Sequence, residues 1–459
     1  MTLLLAPHRL PRLASRLRNP STNNAFPFTP GISRPMFWAG KRASTSMADT
    51  VGQQVLDPSV LVEEETIRGY KAEDYYPVRI GEVFQDRYRV IGKLGYGTAS
   101  TVWLCQDLSG QDEYIALKVY INRSKVHREL PIYKHINSLN SEHEGRAYIR
   151  KLIDSFELSG PHGKHTCLVH EALGMNMEEL RDLVPRGAMD GYLVRQFLRP
   201  VLRGIQFLRE DAHIVHTGQP RVRTLGCAFL TVERADIQPK NILLGVLDTS
   251  AFARYEEDER EYPMPRKELP SRTVYTSKPM LFTRGAPSLA DLSEARFECP
   301  DNVDLVMPDL YRAPEVVLGM PWSYPIDVWA FAMTLWDLFE PKRLFYPQGE
   351  DGRYSESIHL AQMISIMGPP PLDFLQRSGK SKLFWDDEGV WKGDVPIPET
   401  KLEIAEARLQ GEEKELFLIF IRKMLQWKPE DRKDLEDVFM DEWLLADLIE
   451  AGVVTCDRQ

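Results

Sequence analysis

The chain has 459 residues, 43% hydrophobic and 27% charged, with a formal net charge of −10. That length admits a large two-lobed domain with an extension, and the negative balance excludes nucleic-acid binding by bulk electrostatics. Five scattered cysteines without a C-x-x-C spacing argue against a disulfide framework or a zinc site and for a reducing compartment, and no apolar run approaches the ~20 residues of a membrane-spanning helix.

Residues 1–48 contain no Asp or Glu but carry Arg9, Arg12, Arg16, Arg18, Arg34, Lys41 and Arg42. An acid-free, Arg-rich and Ser-containing start is the composition of a mitochondrial presequence. A disordered basic tail, or a chain that begins at Met47, reads equally well, because Pro7 and Pro11 interrupt the helix a presequence needs.

From Val90 to Trp103 the pattern is strand, turn, strand, with Gly95, Gly97 and Ser100 in a G-x-G-x-x-S turn. Glycines there let backbone fold closely over phosphates, and Val102 would cover a base. An ordinary hairpin has the same pattern. Ile115-Ala-Leu-Lys118-Val119 is a short apolar strand with one lysine, about twenty residues after the turn. That spacing suits a cation for phosphates. The helix predicted near His127–Asn137 offers Glu129 as its partner, with Pro131 tolerated in a first turn. The strand His165–Val169 leads into His170-Glu171-Ala172-Leu173-Gly174, a segment placed to bond a base through its backbone. Tyr192–Leu208 has helical apolar spacing over a wide face, with a kink expected at Pro200.

Asp236 and Asn241, five apart and followed by the apolar Ile242-Leu-Leu244, fit a proton acceptor for a hydroxyl and a magnesium ligand. Residues 248–287 read as a polar, solvated loop containing the acidic run Glu256–Glu261. Asp291-Leu292-Ser293 follows a short apolar strand beyond Asn241, a placement that fits a second metal-binding carboxylate, with Ser293 expected to restrict a backbone where glycine turns freely. Downstream stand Ala313-Pro314-Glu315, Asp327-Val-Trp329 and Arg432, the last expected to pair with Glu315.

These parts occur in order over about 345 residues. Together they resemble a eukaryotic protein kinase of the SR-protein-kinase branch, within its divergent fungal group. The resemblance is carried by Tyr75–Gly81, Gly95–Trp103, Glu171–Gly174, His216-Thr217, Asp291–Arg296 and Asp309–Glu315, and runs from about 70 to 447. It implies an α+β, two-lobed kinase fold, with a small β-rich N-lobe and a larger helical C-lobe. The expected division is 1–69 as a disordered or targeting extension, 70–174 as N-lobe and hinge, 175–447 as C-lobe with a family-type insert at 246–287, and 448–459 as a tail. ATP and Mg2+ are the implied cofactors. Asp236, Lys118 and Glu129 take the catalytic positions, and Asn241 and Asp291 the metal positions. Leu94, Gly95, Gly97, Ser100, Val102, Ala116, Lys118, Glu171 and Leu173 take the nucleotide positions. The implied reaction is transfer to Ser or Thr of a protein substrate, with Arg/Ser-rich splicing factors and mRNA processing suggested. A monomer without direct nucleic-acid or membrane contact is expected, in cytoplasm and/or nucleus. Between Asp291 and Glu315 the hydroxyls are Ser293 and Tyr311 alone, which implies activity without activation-loop phosphorylation.

Two departures stand out. Gln238 occupies a position where most kinases carry a lysine for the γ-phosphate, which should lower rate. Residues 218–235 separate His216-Thr217 from Asp236, and their removal restores His-Thr-Asp-Ile-Gln-Pro-Lys-Asn. Eighteen residues correspond to 54 nucleotides, and the codons admit a GT donor at Gly218, a CAG end at Ala235-Asp236 and a CTAAC branch point at Leu230-Thr231. A retained intron is one reading, and a true insertion that loops out is the other. The function classes that remain open are an active serine/threonine kinase, a pseudokinase or scaffold with an interrupted catalytic loop, and a small-molecule kinase of the aminoglycoside or choline type. The Ala313–Glu315, Asp327–Trp329 and Arg432 set opposes the last.

Overall fold

The small lobe is built on a six-stranded antiparallel sheet, ordered β1-β2-β3-β4-β6-β5. The computed structural model describes residues 54–110, 113–123, 129–216, 237–297, 302–303 and 305–455. The strands are β1 (Val83–Phe84), β2 (Tyr88–Tyr96), β3 (Ser100–Asp107), β4 (Tyr114–Tyr120), β5 (Leu152–Gly160) and β6 (Gly163–Glu171). Aromatic and β-branched residues dominate β4, whose side chains are buried on both faces except at Lys118. One face buries Tyr88, Val90, Trp103, Cys105, Ile115 and Leu117. On the other, Ile132, Tyr133 and Ile136 of α1 (Glu129–Ser138) share a core with Leu104 and Leu168.

The large lobe is helical. It opens with α2 (Met177–Leu183) and α3 (Gly191–Glu210). Asp190 caps α3 by accepting from the Leu193 amide at 2.8 Å. The apolar stripe from Val194 to Leu208 is buried as its spacing predicts, and the helix continues past Pro200 because that wide packed face outweighs one lost hydrogen bond. Beyond it lie β7 (Ile214–Val215), β8 (Ile242–Leu244), α4 (Ser250–Glu261), β9 (Arg266–Leu269), β10 (Arg272–Tyr275), β11 (Pro287–Leu289) and β12 (Arg296–Phe297). Then come α5 (Pro325–Phe339), α6 (Glu356–Met367), α7 (Gly411–Met424) and α8 (Glu442–Glu450). Helix α5 is buried on nearly all sides, as its apolar composition requires.

Arg432 donates both guanidinium nitrogens to Glu315, at 2.6 and 2.7 Å, with both side chains buried. Removing one partner strands the other charge in the core. Arg432→Ala is therefore expected to cost roughly 3–5 kcal/mol of stability, read by chemical denaturation.

Residues 248–287 are not the solvated loop that their polarity suggests. Helix α4 buries Ala251, Phe252 and Tyr255 on one stripe. Part of its acidic run is tied down: Glu256 accepts from Arg89 at 2.7 Å and Glu259 is buried, while Glu257, Asp258 and Glu261 are exposed. The hairpin β9–β10 follows in antiparallel register. Tyr255 is fully buried, and its hydroxyl donates to the Lys93 carbonyl at 3.1 Å. Its ring lies so close to Gly92 that a Cβ there would sit 2.9 Å from the hydroxyl. Tyr255→Ala should remove roughly 3 kcal/mol or more; unchanged unfolding of the small lobe would show that the insert does not brace it.

The boundaries also differ from expectation. Residues 54–69, assigned to a disordered extension, are placed against the insert: the Leu56 amide donates to the Arg266 carbonyl at 2.8 Å. Glu65 pairs with buried Lys267 at 2.5 Å, and Glu64 pairs with buried Lys93. At the other end α8 runs beyond 447, and Val454 is buried, so the expected tail is partly core. The acid-free residues 1–48 and the insertion 218–235 lie outside the described residues.

Candidate active site

Strand register aligns the first components. Gly95 faces Val102 across β2–β3, and Val102 faces Lys118 across β3–β4. The glycine turn and the lysine therefore lie in register across three neighbouring strands. A Cβ on Gly95 or Gly97 would meet nothing within 4 Å, so internal packing does not demand glycine there. Their openness is toward a cavity of about 320 Å³, within the range of small-molecule sites.

Lys118 is the electrostatic hub. Its Nζ lies 2.7 Å from Glu129 Oε2 and 3.0 Å from Asp291 Oδ1. Glu129 opens α1, and Tyr120 also donates to it. Burial works against the charge on Lys118, but the Asp291 and Glu129 carboxylates outweigh it and hold its pKa well above the ordinary value. Burial likewise works to raise the Asp291 carboxyl, yet Lys118 and the hydrogen bonds from Ser293 dominate and hold it at about 2. Both groups are charged at neutral pH.

Asn241 and Asp291 are brought together by a two-stranded ladder. Ile242 of β8 pairs with Leu289 of β11, and the Ala290 amide donates to the Asn241 carbonyl at 2.8 Å. Both side chains line the cavity. The positive φ of this turn falls on Asp291 (59°), not Ser293, so serine at 293 does not restrict the backbone as expected.

The rest of the loop hangs on α5. The Asp327 carboxylate accepts from the His216 amide at 3.0 Å, and Thr334 donates to the Ile237 carbonyl at 2.7 Å. Both flanks of the interruption are thus anchored on one helix, seven residues apart. His216 is buried, and burial lowers its pKa to about 4, so its ring is neutral. Asp236, expected as the proton acceptor, lies outside the described residues.

Of the expected nucleotide positions, Leu94, Gly95, Gly97, Ser100, Val102, Lys118 and Leu173 line the cavity. Ala116 and Glu171 do not. Ala116 is buried within the sheet, and the Glu171 carboxylate accepts from the Lys151 amide at 2.8 Å. Sequence reasoning also missed Arg150, Lys240 and Met280, which line it. Lys240 had a signal, as a cation two residues beyond Gln238. Arg150, one of two adjacent cations with Lys151 ahead of β5, had no distinguishing signal, and Met280 had none.

A curled sheet and a helical lobe around a lysine–glutamate pair, with two metal-compatible side chains on a facing hairpin, define a protein kinase. Residues 281–444 match the protein kinase domain family. The chain is 37% identical over 397 residues to a serine/threonine protein kinase of Aspergillus fumigatus, covering 85% of this chain and 93% of that protein. It is 29% identical to a serine/threonine-protein kinase SRPK of Physarum polycephalum, over 82% of this chain and 90% of that one. It is 23% identical to mouse SRSF protein kinase 3, over 83% and 90%. The chain belongs to the eukaryotic protein kinases, in the SR-protein-kinase-like branch, and is an ATP-dependent serine/threonine kinase acting on protein.

Proposed function

We propose that this kinase phosphorylates serines in Arg/Ser-rich proteins of the mRNA-processing machinery, using magnesium ATP. The observation that carries the chemistry is the contact of Lys118 with both Glu129 and Asp291, residues 11 and 173 positions away in the chain. Glu129 fixes the Lys118 ammonium at the cavity wall, where it holds phosphate oxygens. Asn241 and Asp291 would hold the cation. Among the described residues no cluster of three or more His, Cys, Asp or Glu encloses a metal. One carboxylate and one carboxamide, completed by phosphate oxygens and water, is the donor set of a magnesium bound with its nucleotide. Such a cation neutralises charge that develops on the transferred group. Asp236 accepts the proton of the serine hydroxyl. Lys240, on the same turn as Gln238, keeps a cation on this wall of the cavity.

The substrate class is supported by the names of the SRPK and SRSF kinase relatives and by the net charge of −10, which suits a basic peptide. Action as a monomer in cytoplasm and/or nucleus, without nucleic-acid or membrane contact, accompanies this reading. Purified protein with labelled ATP should phosphorylate an Arg-Ser repeat peptide in magnesium, and far less in calcium. Equal transfer to a Lys-Ser or acidic serine peptide would remove the Arg/Ser assignment.

Tyr311 is buried and donates to Asp337 at 2.5 Å, so it is not a free phosphorylation site. Phosphatase treatment should leave activity unchanged; a loss that maps to 291–315 would show control through this segment.

A further inference from the structure

Arg150 is nine-tenths buried and lines the nucleotide cavity. Its backbone is held against the base of the pocket, with its amide donating to the Leu289 carbonyl at 2.8 Å. Its guanidinium donates Nη2 and Nε to the Glu171 carbonyl, at 3.2 and 3.3 Å. Among the described residues it forms no ion pair with a carboxylate. Burial lowers its pKa, and Tyr133, Glu171, Glu129 and Asp291 do not offset that effect. A guanidinium nevertheless stays charged in proteins. This is a buried cation satisfied by one peptide carbonyl, and a burial of that kind is costly unless a further acceptor reaches it.

Its position decides what that acceptor is. The segment His170–Gly174 is the strand exit placed to bond a base. Yet Glu171 does not line the cavity, and Arg150, bonded to its carbonyl, does. A base edge entering here meets donors instead of a bare acceptor. The neighbouring His170 adds no competing charge, since burial, Arg150 and Lys118 hold it neutral. Adenine presents an amino group at its 6-position, also a donor, so the two oppose each other. A 6-oxo purine presents an acceptor there and an N1–H beside it, which complements a guanidinium next to a carbonyl.

We propose that Arg150 reads the 6-position of the purine and tilts the pocket toward 6-oxo nucleotides, so that GTP serves as a phosphoryl donor beside ATP. This rests on the cavity being the nucleotide site. An unmatched buried donor or acceptor typically changes selectivity by about tenfold or more.

The test is displacement of a fluorescent ATP analogue from the full-length chain by ATP, GTP and inosine triphosphate. Inosine differs from adenosine at the 6-position and N1–H alone, so the wild-type protein is informative without any variant. Inosine triphosphate and GTP should compete within about tenfold of ATP. In Arg150→Leu the preference should move toward ATP by about tenfold or more. Inosine triphosphate weaker than ATP by a hundredfold in wild type, or a ratio unmoved in a folded Arg150→Leu, overturns the inference and leaves the ATP site standing. Failure of the ATP analogue to bind at all overturns the nucleotide reading and this inference with it.

Discussion

Excising residues 218–235 should raise the phosphotransfer rate of this chain by about a hundredfold or more, the scale on which catalytic geometry depends on placement within an ångström. Both flanks of the interruption are held on the same helix. His216 is held by Asp327 and Ile237 by Thr334, both on α5. Seven helical residues span about 10.5 Å. After excision, Thr217 and Asp236 alone would join the flanks, and three Cα steps reach about 10–11 Å. The two lengths are comparable, so the shortened chain would hold Asp236 on a short tether between the two anchored flanks. Eighteen more residues between the same anchors remove the length restraint that the short connection would impose. Both forms should be expressed and their kcat compared on an Arg-Ser peptide, alongside sequencing of the cDNA. A shortened chain that is no faster, with transcripts that always keep the 54 nucleotides, would establish the segment as a native insertion.

Lys118→Met should reduce kcat by about two to three orders of magnitude, the usual consequence of removing one preorganised charge from a transition state. It also leaves Glu129 and Asp291 without the cation between them. Lys118 holds the Asp291 carboxyl at about 2, below its ordinary 3.8. A depressed carboxylate pKa stabilises the fold above the unfolded value, and that contribution is lost as pH falls from about 4 to about 2. Without Lys118 the Asp291 pKa rises, so the acid limb of a stability–pH curve should become shallower in this window. A variant that keeps a third of wild-type activity would remove Lys118 from the phosphate-holding role. An unchanged acid limb would show that Asp291 does not depend on it.

The candidate site residues whose placement was legible in the sequence are those whose spacing is imposed by backbone geometry. Lys118 follows the glycine turn at a distance fixed by two antiparallel strands and their register. Asn241 and Asp291 each abut a strand of one ladder, so each is marked by the apolar run beside it, even with 49 residues between them. Glu315 and Arg432 were found because each sits in a compact local signature. Arg150 escaped because its meaning depends on a carbonyl that β6 brings to it, which no pattern around residue 150 encodes. Helix α4 escaped because a one-sided stripe of Ala251, Phe252 and Tyr255 is diluted by acidic residues, most of which face solvent or Arg89 while Glu259 is buried against Lys278.

The sequence by itself determined the two-lobed kinase class and the order of its polar groups, because period-two strands, glycine turns and paired charges are local consequences of chain chemistry. Tertiary structure decided what surrounds them. It clamps the small lobe between residues 54–69 and the insert, through Lys93 and Lys267 buried against Glu64 and Glu65. It anchors both sides of the interrupted loop on α5, and it sets Arg150 in front of the Glu171 carbonyl. These are contacts between segments distant in the chain. They follow from which surfaces bury one another, and that choice is made by the packed whole.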